Sequence, residues 1–127
     1  MPSAPADYQR LVLDEVHSYK GLAHPVQANL FERLFTRKLP TEALHPNPDD
    51  EFTHEEIGPC AEKMSQYVDE WGRTLSNHVK PDIEPLSVEK TSIGGYMLLD
   101  GHHRWFAACK LRIPALPVRV MNVTPIA

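Results

Sequence analysis

Cysteine is scarce in this chain. Two occur among 127 residues, Cys60 and Cys109, and they form no CxxC pair. A disulfide framework is therefore not expected, and a reducing, cytoplasmic setting is. Long apolar runs are lacking too. No stretch of about 18 apolar residues occurs, so no membrane-crossing helix is expected. The opening Met1-Pro2-Ser3-Ala4-Pro5 has neither the basic nor the apolar region of a secretory signal. A basic excess is also missing: the net charge is −4. That disfavours autonomous nucleic-acid binding, which needs a basic face. Only Arg33, Arg37 and Lys38 form a local cationic cluster, and such a patch can act against the net charge. What the chain does have is 12 prolines, which imply many rigid turns and few long elements. A hydrophobic content of 42% fits a soluble domain with its own core.

The elements follow from periodicity. Residues 7–19 place Tyr8, Leu11, Val12, Val16 and Tyr19 on one helical face, with Asp7 as N-cap and Gly21 beyond the end. A second helix is expected from Pro25 to about Lys38, with Val26, Leu30, Phe31, Leu34 and Phe35 as its apolar stripe. These helices, residues 1–38, read as an extension covering a domain over 39–127. Residues 39–44 suit a short edge strand, and 45–51 a loop punctuated by Pro, Asn and Asp. A third helix is expected over 55–71, closed by Gly72, with a polar loop over 73–83. Strands follow at 84–90 and 96–99, joined by a turn at Ser92-Ile93-Gly94-Gly95. The spacing then predicts a helix over 102–111 and a last strand over 116–121. The fold class is α/β (α+β), with residues 84–90, 96–99 and 116–121 in one small mixed sheet and helices packed on it.

Chemistry concentrates at Asp100-Gly101-His102-His103-Arg104. A strand ends, glycine permits a tight turn, and a helix begins. The first turn of a helix carries unpaired N–H groups and a partial positive charge. Gly101 allows a ligand close to the backbone, Arg104 offers a fork of donors for phosphate oxygens, and His102 and His103 can donate to the same oxygens. Together they form a phosphate cradle. The alternative is a plain strand–turn–helix junction with exposed histidines. No metal site is expected here, since adjacent histidines diverge on a helix whereas paired zinc ligands share a face. Asp100 has three open roles: a ribose contact, a metal contact or a helix cap. Trp105 and Phe106 read as core, Cys109 as buried and inert, and His45, His54 and His78 as solvent-exposed.

The run from Tyr96 through Asp100-Gly101-His102-His103-Arg104 to Ala108, followed by Ile113-Pro114 and Pro117-Val118-Arg119-Val120, resembles the ParB/sulfiredoxin superfamily. Upstream, Ala43-Leu44-His45-Pro46-Asn47-Pro48 is similar to the proline/asparagine segment after its first strand, and Glu84-Pro85-Leu86-Ser87-Val88 to a later strand. The resemblance covers about residues 39–121. It implies a ParB/sulfiredoxin-like fold and a nucleotide held at the glycine turn: CTP in partition proteins, ATP in sulfiredoxins, ADP or ATP in free serine kinases.

The departures narrow this expectation. Sulfiredoxins carry a catalytic cysteine directly after the glycine, and His102 stands there, so sulfinic-acid reduction by that route is not expected. Partition proteins carry a helix-turn-helix domain further on, for which a sequence ending at Ala127 leaves no room. The form Asp-Gly-His-His-Arg looks closest to the kinase branch, which uses an upstream carboxylate as base. That implies Mg²⁺ with ATP or ADP, with CTP as the alternative nucleotide, and a small-molecule acceptor. Asp49, Asp50 and Glu51 are the acids in the matching loop. Glu51 is assigned as base and Asp50 as its catalytic partner near the metal, against the alternative that both are ordinary turn and cap residues. Two other functions stay open: a non-catalytic module whose partner binding a nucleotide controls, and a ParB-like nuclease or DNA-associated protein.

Overall fold

The computed structural model describes residues 8–19, 24–54 and 58–123. The expected caps at Asp7 and Gly21 lie outside them, and the third helix, expected from 55, begins at Ala61 after the non-helical residues 58–60. The chain is α/β, built on a mixed sheet. Its strands are β1 (Arg37–Pro40), β2 (Leu44–His45), β3 (Leu86–Lys90), β4 (Tyr96–Leu98) and β5 (Ala115–Val120), in the order β1-β5-β3-β4-β2. β5 and β3 run parallel, as do β2 and β4, while β1/β5 and β3/β4 are antiparallel. The expected grouping of the last three strands in one mixed sheet is what the structure has.

Alternation explains the sheet. On β5, Leu116, Val118 and Val120 are buried while Arg119 is exposed. The register sets Leu39 opposite Leu116, Leu86 opposite Val118, and Val88 opposite both Val120 and Leu98. A period of two on every strand thus directs these side chains to one buried face. Gly94 and Gly95 turn β3 into β4 at φ of 86° and 73°.

α4 (His102–Lys110) covers the sheet, and α3 (Ala61–Ser76) packs against α4. Ala107 and Ala108 are fully buried, and their small side chains let α4 lie close to the sheet and to α3. The N-terminal segment, a π-helical turn Gln9–Leu13 leading into α1 (Asp14–Tyr19), buries Tyr8, Val12, Val16 and Tyr19 in the same core. The face read from the sequence is the face that packs.

Three expectations need correction. The helix expected over 25–38 is one short turn, α2 (Leu30–Leu34), capped by Asn29 and Glu32. Tertiary hydrogen bonds hold the chain before it extended: Val26 N–H donates to Lys90 O at 2.8 Å and Ala28 N–H to Asn122 Oδ1 at 2.9 Å. Arg37 and Lys38 lie in β1, and Leu30, Phe31, Leu34 and Phe35 are exposed, not packed. Second, the single strand expected over 39–44 is split by a 3₁₀ turn, Thr41–Ala43, so that β1 and β2 form opposite edges. Third, α3 continues past Gly72 to Ser76. At Gly72 an added Cβ would come 3.8 Å from Leu111 Cδ2, so this glycine is a helix-packing position, not a terminator.

Candidate functional site

The turn between β4 and α4 is strapped to β3. Leu99 N–H donates to Ser87 O at 2.8 Å, and Ser87 N–H donates back to Asp100 Oδ1 at 2.9 Å. Asp100 does not cap α4, one of the roles open for it; its carboxylate instead fixes the turn to β3. The residue at the start of α4 is Gly101, at φ 80° and ψ 21°, and no side chain caps the helix. Trp105 N–H begins the helical ladder, donating to Gly101 O at 2.9 Å. Among the described residues nothing accepts the N–H groups of His102, His103 or Arg104, and the first turn contains no acid. Three backbone donors and the positive end of the helix dipole are thus left for an anion.

Arg104 lies beside them, held against the turn rather than splayed into water. Its side chain is 16% exposed. It donates to Glu84 O at 2.9 Å and lies 3.8 Å from Asp100 Oδ1. The guanidinium is anchored over the turn, with further N–H donors unspent.

The histidines differ from their expected form. His102 is buried at 3% exposure. Its Nε2 accepts the backbone N–H of Asn47 at 3.0 Å, which places the ring proton on Nδ1, 3.8 Å from Asp50 Oδ2 and too far for a direct hydrogen bond. Burial pushes its pKa down to about 4, against the opposing pull of Asp50. His103 Nε2 accepts the Cys60 N–H at 2.9 Å, and burial, then Lys63, lowers its pKa also. Both rings are neutral at pH 7, and each spends one nitrogen holding a distant segment against α4. They organise the cradle more than they line it.

His103 holds the start of α3, and the segment His102 holds is 46–53. Asn47 O accepts the Thr53 hydroxyl at 2.7 Å, and Asp50 Oδ1 accepts Phe52 N–H at 2.9 Å. Phe52 is buried between Tyr8, Phe106 and both histidines. From the N-terminal segment, Tyr8 donates its hydroxyl to Phe52 O and Tyr19 to Pro46 O; burial raises both phenol pKa values, Tyr8 to about 12. His45, expected in solvent, is half-buried and 2.5 Å from Glu15 Oε1. Asp50 faces His102, while Glu51 starts a 3₁₀ turn with its side chain exposed. Sequence reading missed Asn47, Phe52, Tyr8 and Tyr19. Their roles rest on contacts across 44 residues for Tyr8–Phe52 and 55 for Asn47–His102; only the apolar character of Phe52 within a polar stretch hinted at one of them. Cys109, expected buried, is half-buried, its thiol pushed up to about 12 by burial. Among the described residues no cluster of three or more His, Cys, Asp or Glu side chains forms a metal site, and no helix is long and apolar enough to cross a membrane.

The depressed pKa of His102 has a consequence for stability. An unfolded histidine binds its proton near pH 6.5, whereas the folded one resists it until about pH 4. Between these values the unfolded state holds more protons, so stability falls as pH falls. The loss is expected to reach on the order of 3 kcal/mol by pH 4, the shift multiplied by 1.36 kcal/mol per unit. Urea midpoints at pH 7, 5.5 and 4 check this; a His102→Gln variant should show a flatter profile.

An α/β domain with a mixed five-stranded sheet and an uncapped glycine turn feeding its last described helix defines the structural class. No protein-family model and no curated protein matches the sequence. Solved structures do. The C-terminally truncated chromosome-partitioning protein ParB from Caulobacter crescentus, complexed with CTP-γ-S, superposes with a TM-score of 0.54 at 23% identity, over 71% of this chain and 46% of its own. The same protein complexed to the centromeric parS site gives 0.50 at 21%, over 69% and 40%. Sulfiredoxin from Arabidopsis thaliana gives 0.50 at 20%, over 71% and 88%. The fold is ParB/sulfiredoxin-like, and the chain spans less than half of the ParB chains it matches.

Proposed function

We propose that this chain binds a nucleotide at the β4–α4 turn and transfers its terminal phosphoryl group to a small hydroxyl compound. The observation that carries the reading is the start of α4, where three backbone N–H groups lack acceptors beside an anchored arginine and no acid in the first turn. The fold's likeness to a ParB bound to CTP-γ-S supports it. In this reading the phosphates sit on the N–H groups of His102, His103 and Arg104, just past the turn that Gly101 makes. Arg104 supplies charge to the phosphate oxygens. Asp50 keeps one carboxylate oxygen clear of its own cap and would hold Mg²⁺, which usually takes one or two carboxylates plus phosphate oxygens and neutralises phosphate charge when bound. Glu51, exposed at the end of the same loop, takes the proton of the acceptor hydroxyl. ATP or ADP is the assigned donor, with CTP as the alternative.

A thermal-shift screen of ATP, ADP and CTP with and without Mg²⁺ tests the binding, since a ligand selective for the folded state raises its stability. Arg104→Ala is expected to weaken the best nucleotide by about 1.5–3 kcal/mol, the worth of hydrogen bonds to a charged group, as read by calorimetry. Unchanged affinity in the folded variant would sink the cradle. Glu51→Gln is expected to leave affinity nearly intact and to abolish turnover. A second reading, a nucleotide-controlled binding module, is favoured by the exposed apolar side chains Leu30, Phe31, Leu34 and Phe35. Nucleotide binding with no phosphoryl transfer to any of a panel of small alcohols would select that reading.

A further inference from the structure

The far end of α4 carries a second site. A cleft of about 520 Å³ opens between the C-terminal ends of α3 and α4, the loop 80–83 and the paired strands β1 and β5. Its volume lies within the range of small-molecule sites, roughly 300–1,000 Å³. Leu75, Ile83, Leu111 and Ile113 supply apolar wall. Three cations converge on it, Lys38, Lys80 and Arg112, against the single carboxylate of Asp82. No ion pair joins any of these three cations to a carboxylate among the described residues. In a chain of net charge −4, this is a local inversion of sign.

The backbone around the cleft is unusual in the same place. Among the described residues, the non-glycine positions with positive φ are His78 at 59° and Arg112 at 57°. Each ends one of the two helices that border the cleft. Arg112 N–H donates to Cys109 O and Ile113 N–H to Ala108 O, the paired bonds of a left-handed helix stop. Glycine is the residue that makes such a stop without strain. An arginine there costs stability, and sparsely populated backbone of this kind gathers at ligand sites. What the arginine contributes is an exposed cation beside an apolar cleft, on a backbone position set by the helix stop.

We infer that this cleft binds a small organic acid, its apolar body against Leu75, Ile83 and Ile113 and its carboxylate among Arg112, Lys80 and Lys38. The site is separate from the phosphate cradle: the nine residues of α4 lie between them, about 14 Å at 1.5 Å per residue.

Octanoate is a suitable probe, with octanamide as its neutral counterpart and inorganic phosphate as an anion without an apolar body. Calorimetry and amide chemical shifts on the full chain are expected to show saturable octanoate binding, with shifts at Leu75, Ile83 and Ile113. Octanamide and phosphate should each bind at least tenfold more weakly. Arg112→Gly should weaken octanoate tenfold or more while leaving the melting temperature unchanged or higher, because glycine relieves the left-handed backbone. Lys80→Ala, in an exposed loop, should weaken it by a smaller factor. Arg104→Ala should leave it unchanged, so loss of the nucleotide reading and loss of this one are separable. Absence of saturation up to about 10 mM, tenfold above a millimolar Kd, overturns the inference. So do equal affinities for octanoate and octanamide, phosphate binding as tightly as octanoate, or an Arg112→Gly protein that binds octanoate like the parent.

Discussion

Phe52→Ala is expected to destabilise the fold by about 3–5 kcal/mol, the usual cost of emptying a buried phenylalanine site. The ring is 1% exposed, with ring centroids at 5.6 Å from Tyr8, 5.5 Å from His102, 5.1 Å from His103 and 6.0 Å from Phe106. It joins three separate parts of the chain: the N-terminal segment, the 46–53 loop and α4. The loss should not be confined to stability. With the ring gone, water reaches His102, and the burial that depresses its pKa is relieved. An NMR titration of His102 in the variant should therefore show its pKa rising from about 4 toward the ordinary histidine value. A urea midpoint corresponding to less than about 1 kcal/mol of loss, the range of ordinary substitutions, would show that the 46–53 loop is not packed as described.

Gly101→Val is the second large effect, at about 2–5 kcal/mol. Two causes add. The residue sits at φ 80°, where a side chain costs roughly 1–2 kcal/mol. An added Cβ would also lie 2.8 Å from Leu86 Cγ, and forcing extra atoms into a packed core costs about 1–3 kcal/mol. The direction of that clash changes the meaning of the glycine. From sequence, Gly101 is needed so that a ligand can approach the backbone. In the structure its missing side chain makes room for Leu86, and the close approach of β3 to α4 is what requires glycine. A double-mutant cycle separates the two accounts. If Leu86 is the obstacle, Gly101→Ala with Leu86→Ala should cost less than the sum of the single changes. Strict additivity, with nucleotide affinity lost in Gly101→Ala alone, would return the glycine to a purely ligand-facing role.

The two variants probe different layers of one site. Gly101 sets how α4 leaves the sheet, and Phe52 sets how the 46–53 loop meets α4. The cradle N–H groups depend on both, although neither side chain faces the proposed phosphates. Arg104 shows the same logic on a smaller scale: its contacts with Glu84 O and Asp100 give it a fixed position from which its remaining donors act.

The sequence by itself determined most of the C-terminal half. Leu86 and Val88, and Leu116, Val118 and Val120, alternate along their strands; Gly94-Gly95 marks the turn between β3 and β4; and Gly101 marks the start of α4. These signals are local, because a strand period or a positive φ depends on residues within a few positions of one another. The tertiary structure decided the rest. The helical spacing of Val26, Leu30, Phe31, Leu34 and Phe35 is a genuine pattern, but hydrogen bonds to Lys90 and Asn122 hold the chain extended before Asn29, and tertiary bonds outweigh a weak propensity. The histidines were legible as candidate site residues and not as acceptors. Their protonation is set by N–H groups of Asn47 and Cys60 that arrive from 55 and 43 residues away. No periodicity encodes such a meeting; it exists only once the 46–53 loop and the start of α3 are folded against α4.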